Sequence, residues 1–438
     1  MLNFTRSVSF WTFDFLMGGK VKTAYKDLKK YYHMDSTSSE IIKYQEKSIY
    51  SLLKQATKYT TFYREYRDRK DLSSFPVINK GTIVDRQNDF LSVNYKKENL
   101  YKMSTSGSTG TPLTSYQNKS KKRRVNAETV FFNGLAGYKV GSKLLHLRSL
   151  NIKSKKTKVK QWIQNEQLID IDRLDDKALI GILNSIERAA FNKSITILSY
   201  ASTYDALRHH IEKNGFNLSK KCNIKGIIST SEIFFDKTRQ CISRAFKCDG
   251  YSRYANMENG MLAQDTPENP NIFILNEANY YIEILNMNSD TPANFGEVGR
   301  IVVTDLYNYA MPMIRYDTGD IGAFTYVKLN GKKKKAIKNF GGRKIDVIFD
   351  VLGNMVSPHK ISVAFWNFSE LKEFQFIQEN DKQYTVLLNY KNNFNKKFEL
   401  DEELRSILGQ TANIEYKKVE SIPVLDSGKR KYIMNKTI

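Results

Sequence analysis

Residues Ser104–Pro112 read STSGSTGTP, with Ser and Thr hydroxyls packed around Gly107 and Gly110. Glycine lets a backbone come close to an anion. Hydroxyls donate to phosphate oxygens, and successive N–H groups in such a turn form an anion-binding nest. The chemistry open to this loop is phosphate binding. It is not a Walker loop, because no Gly-Lys-Ser/Thr closes it, and taken alone the same run would serve as a plain surface loop. Four later segments carry further reactive side chains: Tyr254–Gly260 (YANMENG), Arg315–Asp320 (RYDTGD), Gly342–Asp346 (GRKID) and Asp426–Arg430 (DSGKR). The first sets an aromatic and a carboxylate four residues apart beside a glycine, the second follows the apolar MPMI, the third lies at the expected domain junction, and the last is a basic glycine turn close to the C-terminus. Each has an ordinary counterpart: a surface Tyr/Glu pair, an Asp/Gly turn, a hinge, a basic tail. Their succession along one chain carries the information.

The elements that must position these residues follow from apolar spacing. Residues 40–70 are expected to be helical, with Ile41, Tyr44, Ile49, Leu52, Leu53 and Ala56 on one face. Phe75–Lys80 (FPVINK) breaks into a short extended piece, and Asn79 is placed to cap a following helix. Residues 120–137 read as a helix. Strands are expected at Ser194–Tyr200, Ile224–Thr230, Tyr280–Leu285, Gly299–Thr304 and Ile321–Val327, with helices at Tyr204–Lys213 and Phe235–Phe246 between the early ones. Such alternation predicts an α/β core, with mixed sheets flanked by helices. From residue 343 the pattern changes: strands at Glu373–Gln378, Gln383–Tyr390 and Asn413–Ser421 and a helix at Asp401–Leu408 form a small α+β unit. The expected division is a large domain over 1–342, including a helical segment over 1–70, and a small domain over 343–438. No repeat is visible.

The chain has 438 residues, which suits two or three domains. Its formal charge of +23 favours anionic partners. The runs Lys119–Arg124, Lys153–Lys160 and Lys332–Lys335 read as solvated loops. Three cysteines without a CxxC pair and five scattered histidines give no metal-ligand spacing, and a reducing cytoplasm fits this usage. The N-terminal MLNFTRSVSFWTFDFLMGG is interrupted by Arg6 and Asp14, short of the roughly 18–20 apolar residues needed to span a bilayer. It also lacks the cleavage site of a signal peptide. An amphipathic helix packed on the body is expected, with peripheral membrane contact as the second reading.

Taken together, the five segments resemble the adenylate-forming superfamily of acyl-CoA synthetases and adenylation domains. TSGSTGTP is similar to its phosphate loop, YANMENG to its Tyr-Gly-x-x-Glu segment and RYDTGD to its Tyr-x-Thr-Gly-Asp. GRKID is similar to its junction Gly-Arg-x-Asp-Asp, and DSGKRK to its catalytic-lysine loop. The stretches WTFDFLMGGKV, YQEKSIYSLLKQATKYTTFYREY and FPVINK resemble the phenylacetate–CoA ligase-like branch, especially CapK-type proteins of capsular polysaccharide clusters. Leu113 stands where the superfamily often has Lys, as is common in that branch. Ala255 replaces the usual Gly, and Ile345 replaces the first junction acid, leaving Asp346.

The resemblance implies an adenylate-forming architecture with a small C-terminal lid. It also implies attack of a carboxylate on the α-phosphate of ATP, release of pyrophosphate, and transfer of the acyl group to an acceptor, coenzyme A in the leading reading. Thr105, Ser106, Gly107, Ser108, Thr109 and Gly110 would hold phosphates, and Tyr254 would lie near the nucleotide. Glu258 would hold Mg²⁺, and Asp320 would accept both ribose hydroxyls. Arg343 would approach ribose or phosphate, and Lys429 would bridge the carboxylate and α-phosphate. An acyl pocket is expected around 131–149 and Ile228–Ile233, with His146 as a structural histidine. Two alternatives stand: an adenylating ligase with an amine or hydroxyl acceptor, and a basic nucleic-acid- or membrane-associated protein on a degenerate enzyme fold. No recognition motif for a specific nucleic acid is present.

Overall fold

Local sequence signals set many of the element boundaries. The computed structural model describes residues 2–437 apart from 105–112, 149–156, 172–173, 344–347, 357–360, 362–363, 366–367, 369, 391–393 and 423–430, and describes only the backbone at 341–343 and 355. Three helices lead: α1 (Leu2–Leu16), α2 (Lys20–Tyr32) and α3 (Ser39–Tyr59). α3 ends at Thr60, whose extended backbone stops it well short of residue 70. Helix α4 (Lys80–Asp85) is capped by Asn79, whose Oδ1 accepts from the Thr82 N–H at 3.0 Å. A hairpin of β1 (Tyr101–Ser104) and β2 (Thr114–Gln117) follows, and then α5 (Lys119–Leu135), capped by Asn118.

The central sheet has eleven strands. In chain order they are β3 (Lys143–Leu147), β4 (Glu166–Ile169), β5 (Ser194–Tyr200), β6 (Asn223–Thr230), β7 (Asp249–Asn256), β8 (Gly260–Thr266), β9 (Asn269–Leu275), β10 (Tyr280–Leu285), β11 (Gly299–Asp305), β12 (Tyr316–Leu329) and β13 (Lys332–Arg343). Their spatial order is β10-β11-β12-β13-β9-β8-β7-β6-β5-β3-β4. Strands β3 to β7 pair in parallel. The short α6 (Lys158–Gln164) precedes β4, and α7 (Asp176–Ala190), α8 (Ala201–Asn214) and α9 (Asp236–Phe246) cross between successive strands from β4 to β7. Parallel neighbours require such crossovers. Ile195, Ile197 and Ile227 of the strands pack with Leu183, Leu207 and Ile242 of the helices in one core. From β7 onward the described pairings turn antiparallel.

Two compact units result: 1–318 with 323–338, and 319–322 with 339–438. The second unit contains β14 (Ile348–Phe349), β15 (Met355–Val356), and a four-stranded sheet ordered β18-β17-β16-β19. Those strands are β16 (Leu371–Gln378), β17 (Gln383–Tyr390), β18 (Asn413–Lys418) and β19 (Ile433–Asn435). Helix α10 (Lys397–Leu408) buries Leu400, Leu404 and Leu408 against Phe376, Val386 and Leu388. The molecule is therefore an α/β body with a smaller α+β unit.

Two further expectations need correction. The RYDTGD segment is not an Asp/Gly turn: β12 begins at Tyr316, where Ile78 of FPVINK bridges to Tyr316 and its carbonyl accepts from the Asp317 N–H at 2.7 Å. The lysine runs are not all solvated loops. Lys121 lies in the first turns of α5 and is fully buried beside Asp305, with Nζ 2.7 Å from the carboxylate. Lys334, the third residue of β13, is equally buried and donates to Glu277 and to the Tyr31 and Met34 carbonyls. A buried ammonium is tolerated where a carboxylate and carbonyls replace its water.

Candidate active site

The sheet changes from parallel to antiparallel at β7. In open α/β sheets, ligands gather at the carboxyl ends of parallel strands where the order switches. The turn after β7 carries Glu258 there. Asn256 Oδ1 accepts from the Asn259 N–H at 2.9 Å and closes the turn. Gly260 follows at φ +135°, where a Cβ would meet Glu128 Oε2 at 2.5 Å, so only glycine fits without displacement.

Glu258 is buried. Its Oε1 accepts from the Tyr316 hydroxyl at 2.8 Å. Its Oε2 is buried with no hydrogen-bond partner, as are Gln117 Oε1 and the Asn259 side-chain amide close by in the chain and its contacts, and a carboxylate oxygen is the costliest of these to leave unpaired. The Glu258 carbonyl accepts from Gln117 Nε2 at 3.2 Å. Gln117 ends β2, and β2 starts at Thr114, paired with Ser104 at the base of the glycine loop. At about 3.3 Å per residue, Glu258 is tied to a point roughly 10 Å along one strand from that base. Tyr254, buried on β7, donates to Thr318 Oγ1 at 3.2 Å, and Thr318 donates on to the Ile301 carbonyl at 2.9 Å.

Arg315 fixes the start of β12. It adopts φ +50°, and its guanidinium donates to the carbonyls of Ser73, Phe75 and Asp290 and pairs with Glu283 at 3.2 Å. Burial raises the Glu283 pKa, and Arg315 opposes that rise. Arg300 holds Asp317 at 2.7 Å. These bonds leave the Tyr316 hydroxyl directed at Glu258.

A second layer supports the turn from behind. Tyr280 sits between the Lys121 ammonium (3.0 Å), Glu128 Oε1 (2.9 Å) and the Asn259 carbonyl (2.9 Å). The Met261 N–H donates to Glu128 Oε2 at 3.0 Å. Burial raises the Glu128 pKa, with the Lys121 charge acting against it.

The structure thus brings Tyr254 and Glu258 together with Tyr316 and Thr318. Asp320 lies two residues beyond Thr318 on β12, within the residues of the smaller unit. Arg343 is the last residue of β13. Thr105, Ser106, Gly107, Ser108, Thr109, Gly110 and Lys429 lie outside the described residues. His146 faces Glu166 across the paired β3 and β4, its Nδ1 3.3 Å from Oε1. Reading the sequence missed Gln117 and the Lys121–Glu128–Tyr280 cluster. The available signal was the apolar spacing of α5, which turns Lys121 to the same side as Glu128 one helical heptad later.

One metal arrangement fits these residues. Among the described residues no three of His, Cys, Asp and Glu cluster as a metal cage. A magnesium ion needs no such cage: it is commonly held by one or two carboxylates, waters and substrate phosphates. The unpartnered oxygen of Glu258 suits that coordination.

Comparison with known proteins gives three findings. A family model described as the CapK C-terminal domain matches residues 349–436. The chain is 25% identical to Protein CapK of Staphylococcus aureus over an alignment 464 positions long, covering 99% of each. Among solved structures, 2-hydroxyisobutyryl-CoA ligase in complex with 2-HIB-AMP superimposes with a TM-score of 0.72 at 15% identity, covering 92% of this chain and 91% of that one. ATP-bound MatB from Rhodopseudomonas palustris gives a TM-score of 0.56 at 14% identity, covering 78% of this chain and 68% of that one. The chain is therefore similar to Protein CapK from end to end, matches the CapK C-terminal domain over residues 349–436, and has the fold of the adenylate-forming ligases.

Proposed function

We propose that this protein activates a carboxylic acid with ATP as an acyl-adenylate, releases pyrophosphate, and passes the acyl group to a thiol, with coenzyme A as the acceptor. The observation that carries the reading is the Glu258 carboxylate: one oxygen held by Tyr316, the other buried and unpartnered, at the carboxyl end of the last parallel strand. The ligase fold and the ordered motifs support it. Similarity to Protein CapK supports a role in capsular or other surface polysaccharide synthesis.

In this reading the carboxylate substrate attacks the α-phosphorus, the P–O bond to the β-phosphate breaks, and pyrophosphate leaves with the electron pair. Such a transfer depends on positioning and charge neutralisation. Glu258 would hold Mg²⁺, which supplies positive charge beside the phosphate oxygens when bound. Thr105–Gly110 would donate N–H and hydroxyl groups to the departing phosphates. Asp320 would accept the ribose hydroxyls, Tyr254 would border the nucleotide, and Arg343 would approach ribose or phosphate. Lys429 would stabilise charge developing between the carboxylate and the α-phosphate. The domain from residue 343 onward would then act as a mobile lid that brings Lys429 in.

The test begins with ATP, because it does not require the acid. Calorimetric titration of Mg·ATP should give binding to the wild type that weakens sharply in Asp320→Ala. Once an acid is found by screening pyrophosphate release, Glu258→Gln and Lys429→Ala should each lower that release by roughly a hundredfold or more, with melting unchanged. Normal release by either variant would remove the role given to that residue. AMP release that ignores thiols but follows an amine or alcohol would replace the acceptor.

A further inference from the structure

Surface helices ordinarily turn their charges to water and their apolar face inward. In α1 both charged residues are engaged by neighbouring elements. Asp14 is buried, and its carboxylate accepts from the Val21 and Lys22 N–H groups at 3.0 and 2.9 Å, satisfying the first turn of α2. Arg6 donates to the Trp162 carbonyl at 3.1 Å and lies over the Trp162 ring. Only Phe10 and Trp11 of α1 pack against the core. The outward face carries Leu2, Phe4, Val8, Phe13, Phe15 and Leu16, with the uncharged Thr5, Ser9 and Thr12 between them. Phe4 is 72% exposed and Phe15 77%. The packed-on-the-body expectation for this segment holds for one narrow side of the helix.

The patch continues onto α6. Through the Arg6 contact, α1 adjoins Trp162, which is 67% exposed, with Val159 and Ile163 exposed beside it. Large exposed apolar patches mark interaction sites. The border is basic: Lys158 and Lys160 on α6 and Lys20, Lys22 and Lys26 on α2 are exposed. The acids of these three helices, Asp14 and Asp27, are both engaged within the protein, Asp27 with Arg124 at 3.2 Å.

We infer that α1 and α6 form a membrane-docking surface that lays the protein on an anionic lipid bilayer. An aromatic and aliphatic face rimmed by lysine is what an interfacial helix presents: side chains enter the acyl boundary while ammonium groups meet lipid phosphates. Tryptophan belongs at that interface. A second copy of the same face would bring lysine rims against each other, whereas an anionic leaflet neutralises them. At 15 residues, or about 22 Å, α1 can lie in the interface but not cross the bilayer, and among the described residues no helix is long and apolar enough to do so.

The test uses the full chain with vesicles of phosphatidylcholine alone or mixed with phosphatidylglycerol, read by flotation. The wild type should float with the anionic vesicles, less so as salt rises. Phe4→Asp/Phe15→Asp should lower the bound fraction roughly tenfold or more, while Ile180→Asp, at an exposed apolar site on α7, should leave it unchanged. Should the double variant melt early, Phe15→Ser alone keeps the comparison. Wild type that stays with the unbound fraction, or equal binding by wild type and the α1 variants, would overturn the inference. So would sedimentation giving a wild-type dimer that the α1 variants convert to monomer, which would assign the face to a second copy.

Discussion

Glu258 has one oxygen engaged and one open, and the two have different consequences on mutation. Removing the Tyr316 hydroxyl frees Oε1 without disturbing the aromatic ring in its core. Tyr316→Phe should therefore lower ATP-dependent pyrophosphate release about tenfold, shift the magnesium requirement upward, and cost about 1–3 kcal/mol in stability. Unchanged magnesium dependence would mean that Glu258 does not depend on this bond. At this scale the sequence was readable in part. YANMENG and RYDTGD stood out by residue type and order, but the bond between Glu258 and Tyr316 joins positions 58 residues apart, which no local period encodes. Gln117 left no trace because its amide serves a backbone carbonyl, for which many side chains would do.

Elements, in turn, owe their placement to buried charge as much as to apolar packing. Helix α5 is locked to the sheet by Lys121, held by Asp305 and Tyr280 with Glu128 beyond. Lys121→Met would leave two carboxylates buried without their cation. A loss of about 3–5 kcal/mol is expected, measured by denaturant unfolding. The same variant should impair adenylation beyond its instability, because Tyr280 also holds the Asn259 carbonyl next to Glu258. The α/β alternation between β5 and α9 was legible, since apolar runs and amphipathic helices of ordinary length follow one another there. The β7–β9 region was not: its strands bury Arg253, Gln264 and Asp265, so their hydrophobic pattern is broken by polar groups satisfied across the sheet. KSKKRR misled because a run of like charges says nothing about which of its members turns inward.

The whole molecule carries a separate core in its smaller unit, in which Leu400, Leu404 and Leu408 of α10 meet β16 and β17. Truncation there should act on that unit. Leu404→Ala is expected to cost about 2–5 kcal/mol, and calorimetry should resolve it as an earlier melting step with the remaining transition unmoved. A single shifted transition would mean that the units unfold as one. The change in pattern past residue 343 was visible in the sequence because short strands replaced the βα alternation. That residues 319–322 of β12 belong with the smaller unit was not, since they interrupt a continuous strand.

In a chain so rich in lysine, Lys121 and Lys334 are fully shielded while most of their kin face water. They form a natural pair of reporters. Amine acylation followed by mass spectrometry would mark the exposed lysines at once and these two only when their own region opens. Lys121 would time the loosening of the helix behind Glu258, and Lys334 the release of the N-terminal helices from β13, two clocks read from a single sample without an added label.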